Sequence, residues 1–288
     1  MAGLPPDPSR GLENHRIRGP GNRTYFLFHC LECQPHATSY KCILETGEGR
    51  PRCECKVYTK REIDRYMLRE INVLHRVQCQ NVLGMQDFLE SEDFLFVITP
   101  FFSGGSLFDK LEQRGRRFSE HETRRILMQV ARGLAHLHGE GICHNDLGLE
   151  TILCSGEEEN FQVAISGFGL ATFRGENEGM REVLQQYYYA APEIVRHEEQ
   201  YIEASDIWSF GVVAYCLLTE HFPFAGEGID LGRLIVQGQY DTALFDRYQV
   251  SDAARNFIAR ILRVNPDERP TASDLVYDDP WLNDIDDN

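Results

Sequence analysis

The hydrophobic period of this chain changes once, at Ser103-Gly-Gly105, and that change limits the folds open to it. Before the break, residues 24–58 alternate apolar and polar positions, as at Cys53, Cys55 and Val57, which predicts short strands separated by a turn at Thr46-Gly-Glu-Gly49. Ile63, Met67, Ile71 and Leu74 then recur at helical spacing and leave Lys60, Arg61, Arg65 and Arg69 for solvent. Strand-like runs return near Met85–Leu89 and Phe94–Thr99. After the break the pattern is largely helical: Ser119-x-x-Glu122 is a capping box, and Ile126, Val130, Leu134 and Leu137 form one apolar face. Helices also fit Asp206–Thr219 and Ser251–Arg263, whereas residues 142–193 read as loops around short strands at 151–154 and 161–165. The expected architecture is α+β and bilobal. A flexible segment (1–20) leads into a small β-rich lobe with one helix (21–102), then a larger helical lobe (103–283) and an acidic tail (284–288).

Charge removes two classes of partner. With 29 Lys and Arg against 45 Asp and Glu, the net charge of −16 opposes nucleic acid and anionic membrane and attracts basic protein surfaces. The most apolar run, 207–218, is too short to span a bilayer, and the start of the chain shows no apolar signal core. Nine cysteines in such a chain predict reduced core thiols and a location in cytoplasm or nucleus. Cys30-x-x-Cys33 with Cys53-x-Cys55 can be drawn as a zinc site on neighbouring strands, although the spacings fall outside the usual zinc-knuckle pattern; no metal is expected.

Six short motifs follow one another in order. Cys53-Glu-Cys-Lys56 precedes a helix carrying Arg69-Glu70-Ile71; His144-Asn145-Asp146-Leu147 runs on to Thr151 and then to Ser166-Gly167-Phe168-Gly169; Ala191-Pro192-Glu193 and Asp206-Ile-Trp-Ser-Phe-Gly211 come last. In this order and register they resemble the motifs of the protein kinase family. Ser106-Leu-Phe-Asp109 and the segment 250–281 are similar to the calmodulin-dependent kinase group and its Tribbles pseudokinase branch, as is Cys55-Lys56-Val57-Tyr58. The resemblance implies that Lys56 would pair with phosphate and Glu70 with Lys56, that Thr99, Pro100 and Phe102 would line a nucleotide pocket, and that Asp146 would be the catalytic base. It also implies that Asp206 ties down the catalytic loop and that Arg269 partners Glu193. The plainer alternatives are an ion pair that only orients the helix, for Lys56 and Glu70, and a loop-capping carboxylate, for Asp146.

The departures from the family pattern carry the functional expectation. The two Mg²⁺ ligands of the family, an Asn and an Asp, become Thr151 and Gly167, a weak neutral ligand and none at all. The glycines that let backbone N–H groups approach phosphate become Glu32, Gln34 and Ala37, and Pro35 removes a further donor. The lysine two residues past the base is Gly148, and the arginine before it is Asn145. No Ser or Thr lies between Phe173 and Pro192, so only Tyr187, Tyr188 and Tyr189 could accept a phosphate there, with packing as the alternative role. His36 or Phe168 could fill the pocket. The expected function is a catalytically impaired kinase-like protein, a pseudokinase that acts as scaffold or allosteric regulator, with no cofactor required and ATP binding without Mg²⁺ left open. Its expected partners are proteins: a signalling kinase, a substrate or a ubiquitin ligase component. The alternative is a weakly active, ATP-dependent serine/threonine kinase with atypical metal coordination.

Overall fold

In β4 (Arg52–Thr59) the side chains alternate between a buried apolar face and a half-buried polar one, and this alternation organises the first of two units. The computed structural model describes residues 11–33, 37–46, 50–156, 162–176, 187–197, 203–226 and 228–284. The first unit comprises residues up to 78 together with 83–102; the second comprises 79–82 and the chain from 103 onward. In the first, β1 (Arg16–Arg18), β2 (Thr24–Cys33), β3 (Ala37–Leu44), β4, β5 (Asp87–Glu90) and β6 (Phe94–Pro100) form one antiparallel sheet in the order β1-β2-β3-β4-β6-β5. Its core face gathers Tyr25, Leu27, Tyr40, Cys42, Cys53, Cys55, Val57, Leu89, Phe96 and Ile98. Because the strand period is two, Glu54, Lys56 and their cross-strand neighbours Ser39, Lys41 and Thr99 share the opposite face. Helix α1 (Arg65–Arg76) starts where Asp64 accepts hydrogen bonds from the backbone N–H groups of Tyr66 and Met67, both at 2.9 Å.

Two sequence expectations shift here. Residues 16–18, assigned to a flexible lead-in, form β1 and pair with β2 from Arg16 opposite Phe26 to Arg18 opposite Thr24. Three residues reading Arg-Ile-Arg carry too short an alternation to register as a strand. The four cysteines drawn as a zinc site are not on neighbouring strands: β3 lies between β2 and β4, so the two pairs stand about 10 Å apart by two strand spacings. Among the described residues no group of three His, Cys, Asp or Glu side chains could hold a metal ion.

The second unit contains α2 (Leu107–Arg114), α3 (Glu120–Gly139), α4 (Pro192–Val195), α5 (Glu203–Thr219), α6 (Gly228–Gln237), α7 (Ala243–Arg247), α8 (Asp252–Ile261) and α9 (Ala272–Tyr277). Two short antiparallel pairs complete it: β7 (Ile142–Cys143) with β10 (Thr172–Phe173), and β8 (Ile152–Ser155) with β9 (Gln162–Ile165). Helix α5 is buried around its whole circumference, which is why its sequence is apolar without a stripe. At Gly211 a Cβ would meet Ile261 Cγ2 at 2.5 Å, so this glycine sets how closely α5 and α8 approach. The capping box read from the sequence is present, the Ser119 and Glu122 groups exchanging hydrogen bonds with each other's backbone N–H; at the start of α8 the Ser251 hydroxyl accepts from Ala254 N. The segment 79–82 belongs to this unit because Asn81 binds it to β9, accepting from Ile165 N at 2.9 Å and donating to the Val163 carbonyl at 3.0 Å. Among the described residues no helix is long and apolar enough to cross a membrane.

Candidate functional site

Strand β4 presents Lys56 and helix α1 presents Glu70, and the structure joins them. Lys56 Nζ donates to Glu70 Oε2 at 2.9 Å and to Oε1 at 3.2 Å. A third group, unforeseen in the sequence, shares the carboxylate: the buried Tyr58 hydroxyl donates to Glu70 Oε2 at 2.9 Å. Tyr58 lies two residues after Lys56, so strand alternation returns it to the same face. Thr99 is buried on β6 directly opposite Glu54, Pro100 is exposed opposite Cys53, and Phe102 is half-buried just past the strand. Glu54 itself was overlooked in the motif reading. It is half-buried beside Lys56, and burial pushes its carboxyl above the ordinary range, opposed by a hydrogen bond from Ser39 and by Lys56, and reinforced by Glu70 and Glu32. Of the altered glycine-loop positions, Glu32 is exposed at the end of β2 and Ala37 is buried at the start of β3, while Gln34, Pro35 and His36 lie outside the described residues.

In the second unit, Asp206 at the head of α5 organises the loop that follows β7. Its carboxylate accepts from the backbone N–H groups of His144 and Asn145, each at 2.8 Å, and from His138 Nε2 at 2.9 Å. Burial alone would raise its pKa, yet these donors, His138 first, hold it below the usual carboxylate value. His144 is fixed in one tautomer, because Nε2 donates to the Ser166 carbonyl at 2.7 Å and Nδ1 accepts from Asp146 N at 3.2 Å. Burial keeps that ring neutral by lowering its pKa.

The Asp146 carboxylate therefore sits on a rigid loop, but without the cation that the family pattern places two residues on. Among the described residues it has no cationic partner, and burial, with Glu150 adding its negative charge, pushes its pKa up to about 7.

Thr151 and Gly167 are locked to each other. The Thr151 hydroxyl accepts from Gly148 N at 3.0 Å and shares its proton between the carbonyls of Asp146 at 3.1 Å and Gly148 at 3.2 Å. The Thr151 carbonyl accepts from both Ser166 N at 2.8 Å and Ser166 Oγ at 3.0 Å. Gly167 has φ of +78°, and a Cβ built there would lie 2.8 Å from Thr151 Cγ2. The threonine methyl thus fills the space in which a side chain at 167 would begin. A metal pair wants carboxylate or amide oxygens at these two positions. The residues present do not fit Mg²⁺, since one offers no side chain and the other has already committed its single hydroxyl to the loop.

The described residues on either side of 177–186 are held by side-chain contacts. Asn145, with φ of +64°, donates through Nδ2 to the Leu170 carbonyl and to Thr172 Oγ1, both at 3.0 Å. Tyr189 is buried, and its hydroxyl accepts from Leu149 N at 3.1 Å; Tyr188 is partly exposed and stacks on Phe222 with ring centroids 4.8 Å apart. Both rings make packing contacts, and the Tyr187 side chain lies outside the described residues. Phe168 is fully buried and meets His144, ring centroids 5.3 Å apart. Glu193 and Arg269 form a buried bidentate pair, Nη1 to Oε1 and Nη2 to Oε2 at 2.7 Å each, with Ser205 Oγ donating to Oε1 at 2.8 Å.

Comparison with known proteins matches this geometry: the protein kinase domain family model aligns with residues 38–282. The chain belongs to the protein kinase domain family. It is 34% identical over 228 residues to a probable myosin light chain kinase of Dictyostelium discoideum, covering 79% of this chain and 64% of that protein. It is 31% identical over 270 residues to human serine/threonine-protein kinase H1, and 32% over 270 residues to the Danio rerio homologue, each match covering 92% of this chain and 59% of the relative. The chain thus spans about three fifths of the length of the curated relatives it matches. The β-sheet lobe and helical lobe are those expected from the change of hydrophobic period, and the family is the one that the motifs resemble.

Proposed function

We propose that this kinase-family chain has lost metal-dependent phosphoryl transfer and acts through protein partners, as scaffold or allosteric regulator. The observation that carries the reading is the closed contact between Thr151 and Gly167: the methyl stands where a metal-binding side chain would start, and the hydroxyl is spent on the backbone of its own loop. The lack of a cation beside Asp146 among the described residues supports it further, since charge stabilisation of the moving phosphoryl group is commonly the largest catalytic contribution. A net charge of −16 favours partners with basic surfaces, among them a signalling kinase, its substrate or a ubiquitin ligase component. The test is phosphoryl transfer to generic protein substrates with Mg²⁺ or Mn²⁺, compared with Asp146→Asn. Equal signals support the reading, and a rate that the substitution abolishes refutes it.

One set of observations favours a second reading, a weakly active serine/threonine kinase. Lys56 is paired with Glu70, the loop is braced by Asp206, and an Asp146 carboxyl near 7 matches what a general base at neutral pH requires. The names of the relatives, all kinases, lend it weight. The same transfer assay separates the two.

A further inference from the structure

We propose that the negative charge of Glu54 keeps nucleotide off the Lys56 face of the sheet, independently of the metal positions; this deepens the reading of an inactive domain and rests on it. Three placements converge. Strand alternation sets Glu54 on the same face as Lys56, two residues away, while Cys53, Cys55 and Val57 point into the core. The register sets Glu54 directly opposite Thr99 on β6 and Lys41 on β3, with Lys56 opposite Ser39 and Val97. A ligand that reached from the Lys56 ammonium group to β6 at Thr99 would therefore pass beside the Glu54 position.

Among the described residues the charges on that face give no relief. Glu32, Glu54 and Glu70 stand against Lys41 and Lys56; Lys56 is bound to Glu70, and the Lys41 ammonium lies over the Phe101 ring, 4.9 Å from its centroid. Ser39 hydrogen-bonds to Glu54 and so favours its charged form against the effect of burial. A polyphosphate brought to Lys56 would meet a net negative surface, and a base laid over Glu54 would strip water from a charge that burial already disfavours. Motif reading missed this because it looks for residues a family requires, whereas Glu54 is an addition at a position where the motif asks only for a small side chain.

The experiment measures binding of a fluorescent ATP analogue without metal to the full chain and to three variants: Glu54→Gln, Glu54→Ala and Glu54→Gln with Lys56→Met. Glu54→Gln keeps the volume and the Ser39 hydrogen bond while removing the charge, so a cooperative melt is expected of it even if Glu54→Ala packs poorly. Both single variants should bind about tenfold tighter than the parent or better, and Lys56→Met should cancel the gain. An unchanged affinity in Glu54→Gln overturns the proposal, and so does a gain confined to Glu54→Ala, which would assign the effect to bulk. Failure here leaves the reading of an inactive domain intact, because that reading stands on phosphoryl transfer. Transfer by the parent that Asp146→Asn abolishes would sink that reading while the affinity comparison stayed interpretable.

Discussion

At the scale of the residue, Gly167 and Thr151 are two halves of one change. Gly167→Ala places a Cβ 2.8 Å from the Thr151 methyl at a φ of +78°, so it should cost about 1–3 kcal/mol of unfolding free energy. Thr151→Ser deletes that methyl and keeps the hydroxyl, and in its background the cost should fall by roughly half or more, leaving the backbone strain. Urea denaturation of the four proteins in this cycle measures the coupling, and additive costs would mean that the two residues are not packed as described. Asp146 makes a second residue-scale prediction. Its carboxyl titrates near 7 in the fold against an ordinary 3.8, so the folded chain holds a proton through that window which the unfolded chain has released, and stability falls as pH rises toward 7. Asp146→Asn removes that loss. Its stability advantage over the parent should grow by about 1 kcal/mol between about pH 6 and pH 8, at roughly 1.4 kcal/mol per pKa unit. A constant difference would contradict the buried, unpaired carboxylate. The loss of metal ligands was legible in the sequence because ligand chemistry follows from residue type. The methyl in the empty place was not, since it depends on a contact between residues separated along the chain.

Elements were legible where their signals are local. The capping box at Ser119 and Glu122 marks the start of α3 in sequence and structure alike, as does the apolar face of Ile126, Val130, Leu134 and Leu137. Helix α1 follows its apolar stripe, although the N-cap at Asp64 starts it later than Ile63. Strand β1 escaped notice because its partner lies across a turn and its one apolar residue, Ile17, has no alternating neighbours. The attachment of α1 to the sheet makes the element-scale prediction. Lys56→Met leaves the Glu70 carboxylate, largely shielded from solvent, with the Tyr58 hydroxyl as its remaining donor in the triad, and should destabilise by about 1–3 kcal/mol. Hydrogen exchange in α1 should rise in parallel. An unaltered melt and unaltered exchange would show that the pair does not orient the helix.

Across the whole molecule, the single change of hydrophobic period located the division at Ser103, but nothing local could assign 79–82 to the second unit, because that depends on the hydrogen bonds of Asn81 with a strand some eighty residues on. The pair of Glu193 with Arg269 is likewise long-range, 76 residues apart, and only the family resemblance suggested it. Arg269→Met would strand a buried carboxylate with Ser205 as its surviving side-chain donor, and should cost about 3–5 kcal/mol, with Arg269→Lys unable to restore the bidentate geometry. Full stability in Arg269→Met would contradict that placement. The central claim, that the site no longer works through metal, meets its most direct test in the thermal stability of the full chain titrated with ATP, with and without Mg²⁺. A ligand that binds only the folded state adds about 2.7 kcal/mol at a hundred times its dissociation constant, which a melting experiment resolves readily. Because Thr151 and Gly167 supply no fitting ligand pair, Mg²⁺ should add nothing to whatever ATP does alone. A shift that appears with ATP and Mg²⁺ together, and with neither alone, would contradict the account.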